Sequence, residues 1–437
     1  MAHQFHLAAY LNTSPTIHSD GAWKHSAATN GFLTPEFYQG IARNLEAACF
    51  DFAFFADNLA AHAKYGGSYR HSVEKGVQFV AALEPTYAAL VMAGVTQNLG
   101  LGVTKSTTYS SPFDLARVFA TLDHLSKGRI AWNIVTSIND AEARNFGFDQ
   151  HLDRQSRYER AHEFVEASVK LWESWDPDAL LFDKEGQRFA DADKVKSVKF
   201  TGKWITCEGP LTVPHSPQGR PVFMQAGASA QGMEFAAKWA ELVFVIDPTE
   251  AGRRKKYKAM KELLSEFGRD PDSLKVFPAF MPFVAETEAS AQEKKDRHNA
   301  LVDPIAGLIT LSSHLDIDLS GFDLSQKFMD IPGSGGVVGT LQVAKQMAGT
   351  DDLTLSEIGQ LYGEGMFVPQ IVGTPTQIAD FLEYCHKDGQ ADGFIISPPY
   401  LPGGFDDFTN LVVPELQRRG LVKSQYSGST LRENLNL

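Results

Sequence analysis

Eight short apolar runs, each with a helical pattern beside it, constrain this chain more than any other feature. They are FHLAAYL (5–11), FDFAFFA (50–56), LGLGVTKSTTY (99–109), RIAWNIV (129–135), PVFMQAG (221–227), LVFVIDP (242–248), LKVFPAFMPFVAE (274–286) and GFIISP (393–398). Between them lie stretches with helical spacing. After Thr34-Pro35, an N-cap followed by proline at the first helical position, Phe37, Ile41, Leu45 and Ala48 build one buried stripe. Further helices are expected over 84–97, 112–125, 229–240, 250–267, 289–301 and 375–386. A long one begins near Ser156, with Tyr158, Ala161, Val165, Val169 and Trp172 on one face. Strand, crossover helix and parallel strand, repeated eight times, predict an α/β chain folded as a (β/α)8 TIM barrel. An open doubly wound sheet satisfies the same periodicity, because periodicity does not show closure.

On this reading residues 1–437 form a single barrel domain with long insertions at the C-terminal mouth, near 11–34, 58–82, 176–220 and 303–373. The strand ends bring Tyr10, Asp57, Thr104 to Thr108, Asn133 to Ser137, Gln225 to Ser229, Asp247 and Ser397 to one face. Barrel chemistry sits at that face. A deep, lidded pocket follows.

The bulk numbers exclude several classes. With a net charge of −13 there is no basic stripe to neutralise phosphates, so no nucleic-acid partner is expected. No run of about 18 apolar residues is present, so no membrane span is expected. MAHQFHLAAYL resembles a first strand rather than a signal peptide. Cys49, Cys207 and Cys385 lie far apart, which gives neither a disulfide framework nor metal-ligand spacing. These features point to a reduced, cytoplasmic protein without a metal site.

The local motifs each admit a plain reading. QAGASAQG (225–232) joins a strand to a helix, where small residues, Ser229 and free N–H groups suit a phosphate. It is equally a glycine-containing turn with a serine cap. Arg154, Arg157 and Tyr158 place donors at a helix start, where they clamp an anion or merely face solvent. Asp57 could simply cap a loop, and Asn133 and Ser137 could satisfy loop backbone. The HEFVE at 162–166 fails the H-E-x-x-H zinc pattern, and GSGGVVG (333–339) follows no strand, so neither is taken as a site.

Taken together, GAWKH (21–25), FDFAFFAD (50–57), ARVFATLDHLSKGRIAWNIVTS (116–137), NDAEARNFG (139–147), RYERAHEF (157–164), QAGASAQG (225–232), FVPQIVGTPTQIAD (367–380), DGFIISPPYLPG (392–403) and the tail STLRENLNL carry a resemblance that runs end to end. They resemble the bacterial-luciferase-like flavin monooxygenases, in the branch of nitrilotriacetate, EDTA, pristinamycin-synthase and dibenzothiophene-sulfone monooxygenases. Within that branch, NDAEARNFG, the HLD segment, SSH at 312–314 and the tail look most similar to the sulfone enzymes.

The resemblance implies a barrel that takes FMN as FMNH2 from a separate NAD(P)H:flavin reductase. O2 then forms a C4a-(hydro)peroxyflavin, which passes one oxygen atom to a small organic substrate. An aromatic or alkyl sulfone, with C–S cleavage, is the expected substrate; an aminopolycarboxylate or N-heterocycle is the alternative. A flavin- or deazaflavin-dependent reductase on the same barrel is the nearest rival activity. The resemblance assigns Asp57, Ser106, Thr107, Asn133 and Ser137 to the isoalloxazine and ribityl chain, and Tyr158, Ala228 and Ser229 to the phosphate end. Arg154 stands where the family pattern has histidine. Tyr10, Phe54, Phe244 and Val368 map to the substrate pocket, with His18 and His314 as candidate catalytic groups. A homodimer or homotetramer is expected. Such a protein needs no nucleophile triad of its own, because the cofactor carries the difficult chemistry.

Overall fold

A computed structural model describes residues 4–227, 229–331, 347, 349, 350 and 352–437. Ala228 and the 333–339 segment lie outside the described residues. All eight apolar runs are strands: β1 (His6–Leu11), β2 (Phe52–Phe55), β3 (Gly100–Ser106), β4 (Ile130–Val135), β5 (Val222–Gln225), β6 (Leu242–Val245), β7 (Lys275–Val284) and β8 (Gly393–Ile396). Every neighbouring pair is parallel, and the circle closes. β8 pairs with β1 through Ala9↔Ile396 and with β7 through Phe280↔Ile396. The barrel, not the open sheet, is the fold.

Alternation along each strand separates two cores. Ala8, Tyr10, Phe52, Phe54, Ala131, Met224, Leu242, Phe277 and Ile395 fill the barrel interior. Leu7, Ala9, Ala53, Phe55, Val103, Trp132 and Ile134 face outward into the helical layer. Each strand therefore buries both faces, which is why the sequence shows apolar runs instead of alternation.

Several boundaries differ from expectation for local reasons. The long helix spans Arg154–Trp172, because the Asp153 side chain accepts from Ser156 N and caps it two residues earlier than the apolar pattern begins. The polar loop after β4 contains a short helix, Asp140–Asn145, closed by an Asn139/Glu142 capping box. The 176–220 insertion holds two small antiparallel pairs, Leu180–Asp183 with Arg188–Ala190 and Phe200–Thr201 with Thr206–Cys207. The 303–373 insertion contains the helices Pro304–Leu315 and Leu355–Gly363. It ends in an additional strand, Gln370–Gly373, which pairs with the outer half of β7 through Met281↔Gln370 and Val284↔Gly373. Among the described residues, no helix is long and apolar enough to cross a membrane.

Candidate active site

The C-terminal ends of β2, β4 and β5 meet the Arg154–Trp172 and Pro304–Leu315 helices around a cavity of about 280 Å³. Asp57, Asn58, Thr136, Ser137, Glu142, Tyr158, Gln225, Gly227 and His314 line it. A second lobe of about 260 Å³ shares Asp57, Ser137 and Glu142 with the first, and runs past Thr104, Ser106 and Tyr109.

A polar network organises the β3–β4 wall. Asn133 Nδ2 donates to Thr104 Oγ1 at 2.9 Å. Ser137 sits at φ 52°, and that left-handed turn brings its Oγ to 3.0 Å from both Ser106 Oγ and Glu142 Oε1. Glu142 also accepts from the Ile138 and Asn139 N–H groups, so one carboxylate fixes the whole turn after β4. Thr107 is buried and spends its hydroxyl on Val135 O. It is not among the residues lining the cavity.

At the helix start, Arg154 is exposed and off the cavity wall. The buried guanidinium there is Arg157, whose Nη1 donates to Ser137 O. Tyr158 reaches the cavity across Gly232: a Cβ on Gly232 would stand 3.0 Å from both Tyr158 Oη and Gly227 Cα. Glycine is needed there for the close approach, a reason the sequence does not display. Ser229 caps the Ala230–Trp239 helix, accepting from Gly232 N at 3.1 Å.

Behind this lining lies a buried aromatic cluster in the barrel interior. Tyr10 stacks on His18 with ring centres 3.7 Å apart, and Phe54 and Phe244 close around Tyr10 at 5.7 and 6.1 Å. Val368 belongs to the same buried cluster. His18 Nδ1 lies 2.7 Å from Ser397 Oγ, and burial pushes its imidazole down to about 3. His18 is packed behind Tyr10 and is not among the residues lining the main cavity, whereas His314 lines it. His314 Nδ1 lies 2.5 Å from Tyr362 Oη, and the surrounding protein pushes its ring down to about 4. Both imidazoles are neutral near pH 7.

Two contributors carry no signal in the sequence. Gln78 donates to Tyr10 Oη at 3.2 Å, and His62 stands edge-on to His314 at 5.5 Å. Both come from the 58–82 insertion, which lacks the strand periodicity that marks the other mouth residues. Glu142 had a visible signature in the N-x-x-E spacing of a capping box.

The site holds a concentration of buried polar atoms without partners among the described residues: Asn58 Oδ1, His62 Nε2, Tyr109 Oη, Asn133 Oδ1, Arg157 Nε and Arg160 Nη1. Each would cost about 1–3 kcal/mol if left dry, so this wall is built to bind a polar molecule. Asp57 adds to the argument. Burial, with help from Glu84 and Glu142 against the opposing Lys105, pushes its carboxyl up to about 7.

Comparison with known proteins gives a consistent picture. A family model described as luciferase-like monooxygenase matches residues 16–391. The chain is 48% identical to a dibenzothiophene-sulfone monooxygenase of Rhodococcus erythropolis (strain XP), over 99% of this chain and 97% of that one. The crystal structure of DmoA from Hyphomicrobium sulfonivorans superposes with a TM-score of 0.93 at 32% identity, covering 99% of this chain and 92% of that one. A riboflavin lyase (RcaE) solved with modified FMN and its substrate riboflavin superposes with a TM-score of 0.89 at 30% identity, covering 99% and 95%.

Proposed function

The chain belongs to the luciferase-like monooxygenase family, and from that premise we propose that it is the oxygenase of a two-component system acting on a small organic sulfone. Reduced FMN arrives from a separate NAD(P)H:flavin reductase, and the oxygenase works as a homodimer or homotetramer. When bound, FMNH2 supplies two electrons to O2. One oxygen atom enters the substrate, the other leaves as water, and FMN is the spent cofactor.

The carrying observation is the fit of the β3–β4 wall to such a cofactor. The unpartnered Asn133 Oδ1 would accept an N–H from the ring system, with Asp57, Ser106 and Ser137 on the same wall. Tyr158, Ser229 and the Gly227 turn would hold the phosphate end. Arg157, buried where Arg154 is exposed, would supply positive charge to the site.

The protein's remaining work is shielding and proton placement. The buried cluster of Tyr10, Phe54, Phe244 and Val368 would be the apolar wall that excludes water and receives an uncharged substrate. That wall favours a sulfone over an aminopolycarboxylate, which would need cations there. With Tyr362 donating to its Nδ1, neutral His314 carries a proton on Nε2, available where negative charge develops on the reacting group. His18, held by Ser397, fixes the Tyr10 ring.

The test is turnover with a generic flavin reductase, NADH and FMN, reading product mass for one added oxygen. Dibenzothiophene sulfone should be consumed with oxygen, and His314→Ala should lose most of that turnover while still binding FMN. Conversion of nitrilotriacetate instead of any sulfone would overturn the substrate assignment. Reduction of a substrate without oxygen uptake would favour the reductase reading.

A further inference from the structure

A larger cavity, of about 580 Å³, lies on the outer flank of the β7–β8 side and, among the described residues, shares no lining residue with the barrel-mouth cavity. Its wall comes from the end of the 12–25 loop, the helix Glu288–Asn299 and the turn after β8. The same two segments that pair His18 with Ser397 behind Tyr10 pair His25 with Tyr400 at this cavity, seven and three residues later.

The cavity has a definite chemical character. Its charged and titratable lining groups are Lys24, His25, Lys294, Arg297, His298, Tyr400 and Asp407. Three of these are permanent cations and one is a carboxylate, so the net charge is about +2 with neutral imidazoles. Lys294 is partly neutralised by Asp407 at 2.6 Å, and Lys24 Nζ donates to Leu301 O at 2.8 Å. Among the described residues, Arg297 makes one bond, from Nε to Glu293 O at 3.3 Å, and has no carboxylate partner. At the back is His298, only 3% exposed, with both ring nitrogens unpartnered among the described residues. A buried imidazole with neither nitrogen satisfied is costly, and a cavity bordered by cations is where its partner belongs.

Around these polar groups the wall is apolar and flat. His25 stacks on Tyr400 at 3.5 Å with planes 11° apart, while Phe283 and Phe408 are buried beside them. The volume falls within the range of small-molecule sites.

We propose that this cavity is a second binding site, separate from the catalytic pocket, for a small aromatic anion. The anionic head, a carboxylate or sulfonate, meets Arg297, Lys24 and His298, and the ring lies against the His25–Tyr400 pair. An anion beside His298 favours its protonated form, whereas in the free protein burial and His25 hold that ring down to about 4. Binding on the acid side of neutrality therefore takes up a proton.

Calorimetric titration of the FMN-loaded protein with benzoate tests this, with benzyl alcohol as the uncharged control. Benzoate is expected to bind one equivalent, unaffected by FMN, and benzyl alcohol to bind at least about tenfold more weakly. The exposed substitution Arg297→Glu, which leaves the fold and the catalytic wall untouched, should weaken benzoate by about tenfold or more. In buffers of different ionisation heat near pH 5.5, the wild-type protein should show proton uptake that His298→Gln lacks. The proposal fails if benzoate gives no heat up to about 10 mM, if FMN competes with it, or if Arg297→Glu leaves its affinity unchanged.

Discussion

Asp57 carries a carboxyl whose charge its surroundings oppose. Burial raises its pKa first, Glu84 and Glu142 add to that, and Lys105 offsets only part, leaving the group near 7 against an ordinary 3.8. In the folded protein the proton is held across that interval, while the unfolded chain has released it. Stability therefore falls as pH rises from 3.8 to about 7, and the full penalty persists above that. Asp57→Asn removes the penalty. Its melting temperature, measured without flavin, should exceed wild type by a margin that grows through this window and then levels off, equivalent to on the order of 2–4 kcal/mol. A constant difference at every pH would contradict the assignment. The position of Asp57 was legible, because a carboxylate directly after an apolar run marks a strand end. Its protonation was not, since Glu84 and Glu142 approach from other elements.

The helices Pro304–Leu315 and Leu355–Gly363 pack backbone to backbone. A Cβ on Gly307 would collide with the Gly359 carbonyl oxygen and lie 2.7 Å from Gly363 N; one on Gly359 would stand 2.8 Å from Leu308 Cγ. This contact sets the reach of the His314–Tyr362 hydrogen bond, whose two ends lie one on each helix. Gly307→Ala forces the pair apart at a cost of about 1–3 kcal/mol. Oxygenation should fall by about tenfold or more, while FMN affinity stays close to wild type, because the proposed cofactor wall belongs to β3, β4 and the Arg154–Trp172 helix. Equal loss of FMN binding and turnover would show that the helix pair supports the cofactor instead. None of this was readable from sequence, where 303–373 is only a long interruption of the barrel repeat. Gly307 and Gly359 meet across more than fifty residues, and local patterns carry no information about such a match. The Gln370–Gly373 strand escaped for a related reason: four residues at the end of an insertion carry too little periodicity to stand apart. The eight barrel strands were legible because burial on both faces leaves a continuous apolar mark.

The stability of the barrel draws on a floor at the end opposite the mouth. The C-terminal helix Leu431–Asn434 places Leu431 and Leu435 in the interior cluster with Phe52, Leu242 and Phe277. Gly100 leaves the space for this, since a Cβ there would stand 2.5 Å from Leu431 Cδ1. The plug is held at its rim by ions as well. Burial alone would raise the Glu241 pKa, but Arg220 and Arg432 outweigh it and hold the carboxyl below its ordinary 4.5. That contribution is present above pH 4.5 and is lost on acidification through the folded value. The tail was visible in the sequence only as part of a family likeness, and nothing in its nine residues said that it closes a barrel. Leu431→Ala leaves a cavity in a region lined by barrel strands on all sides, which cannot collapse. A cost of about 2–5 kcal/mol follows, read as a lower melting temperature, with oxygenase turnover at low temperature and FMN affinity both unchanged. A fall in FMN affinity at a temperature where the variant remains folded would mean that the floor transmits strain along the strands to the mouth, so that Leu431 serves the site as well as stability.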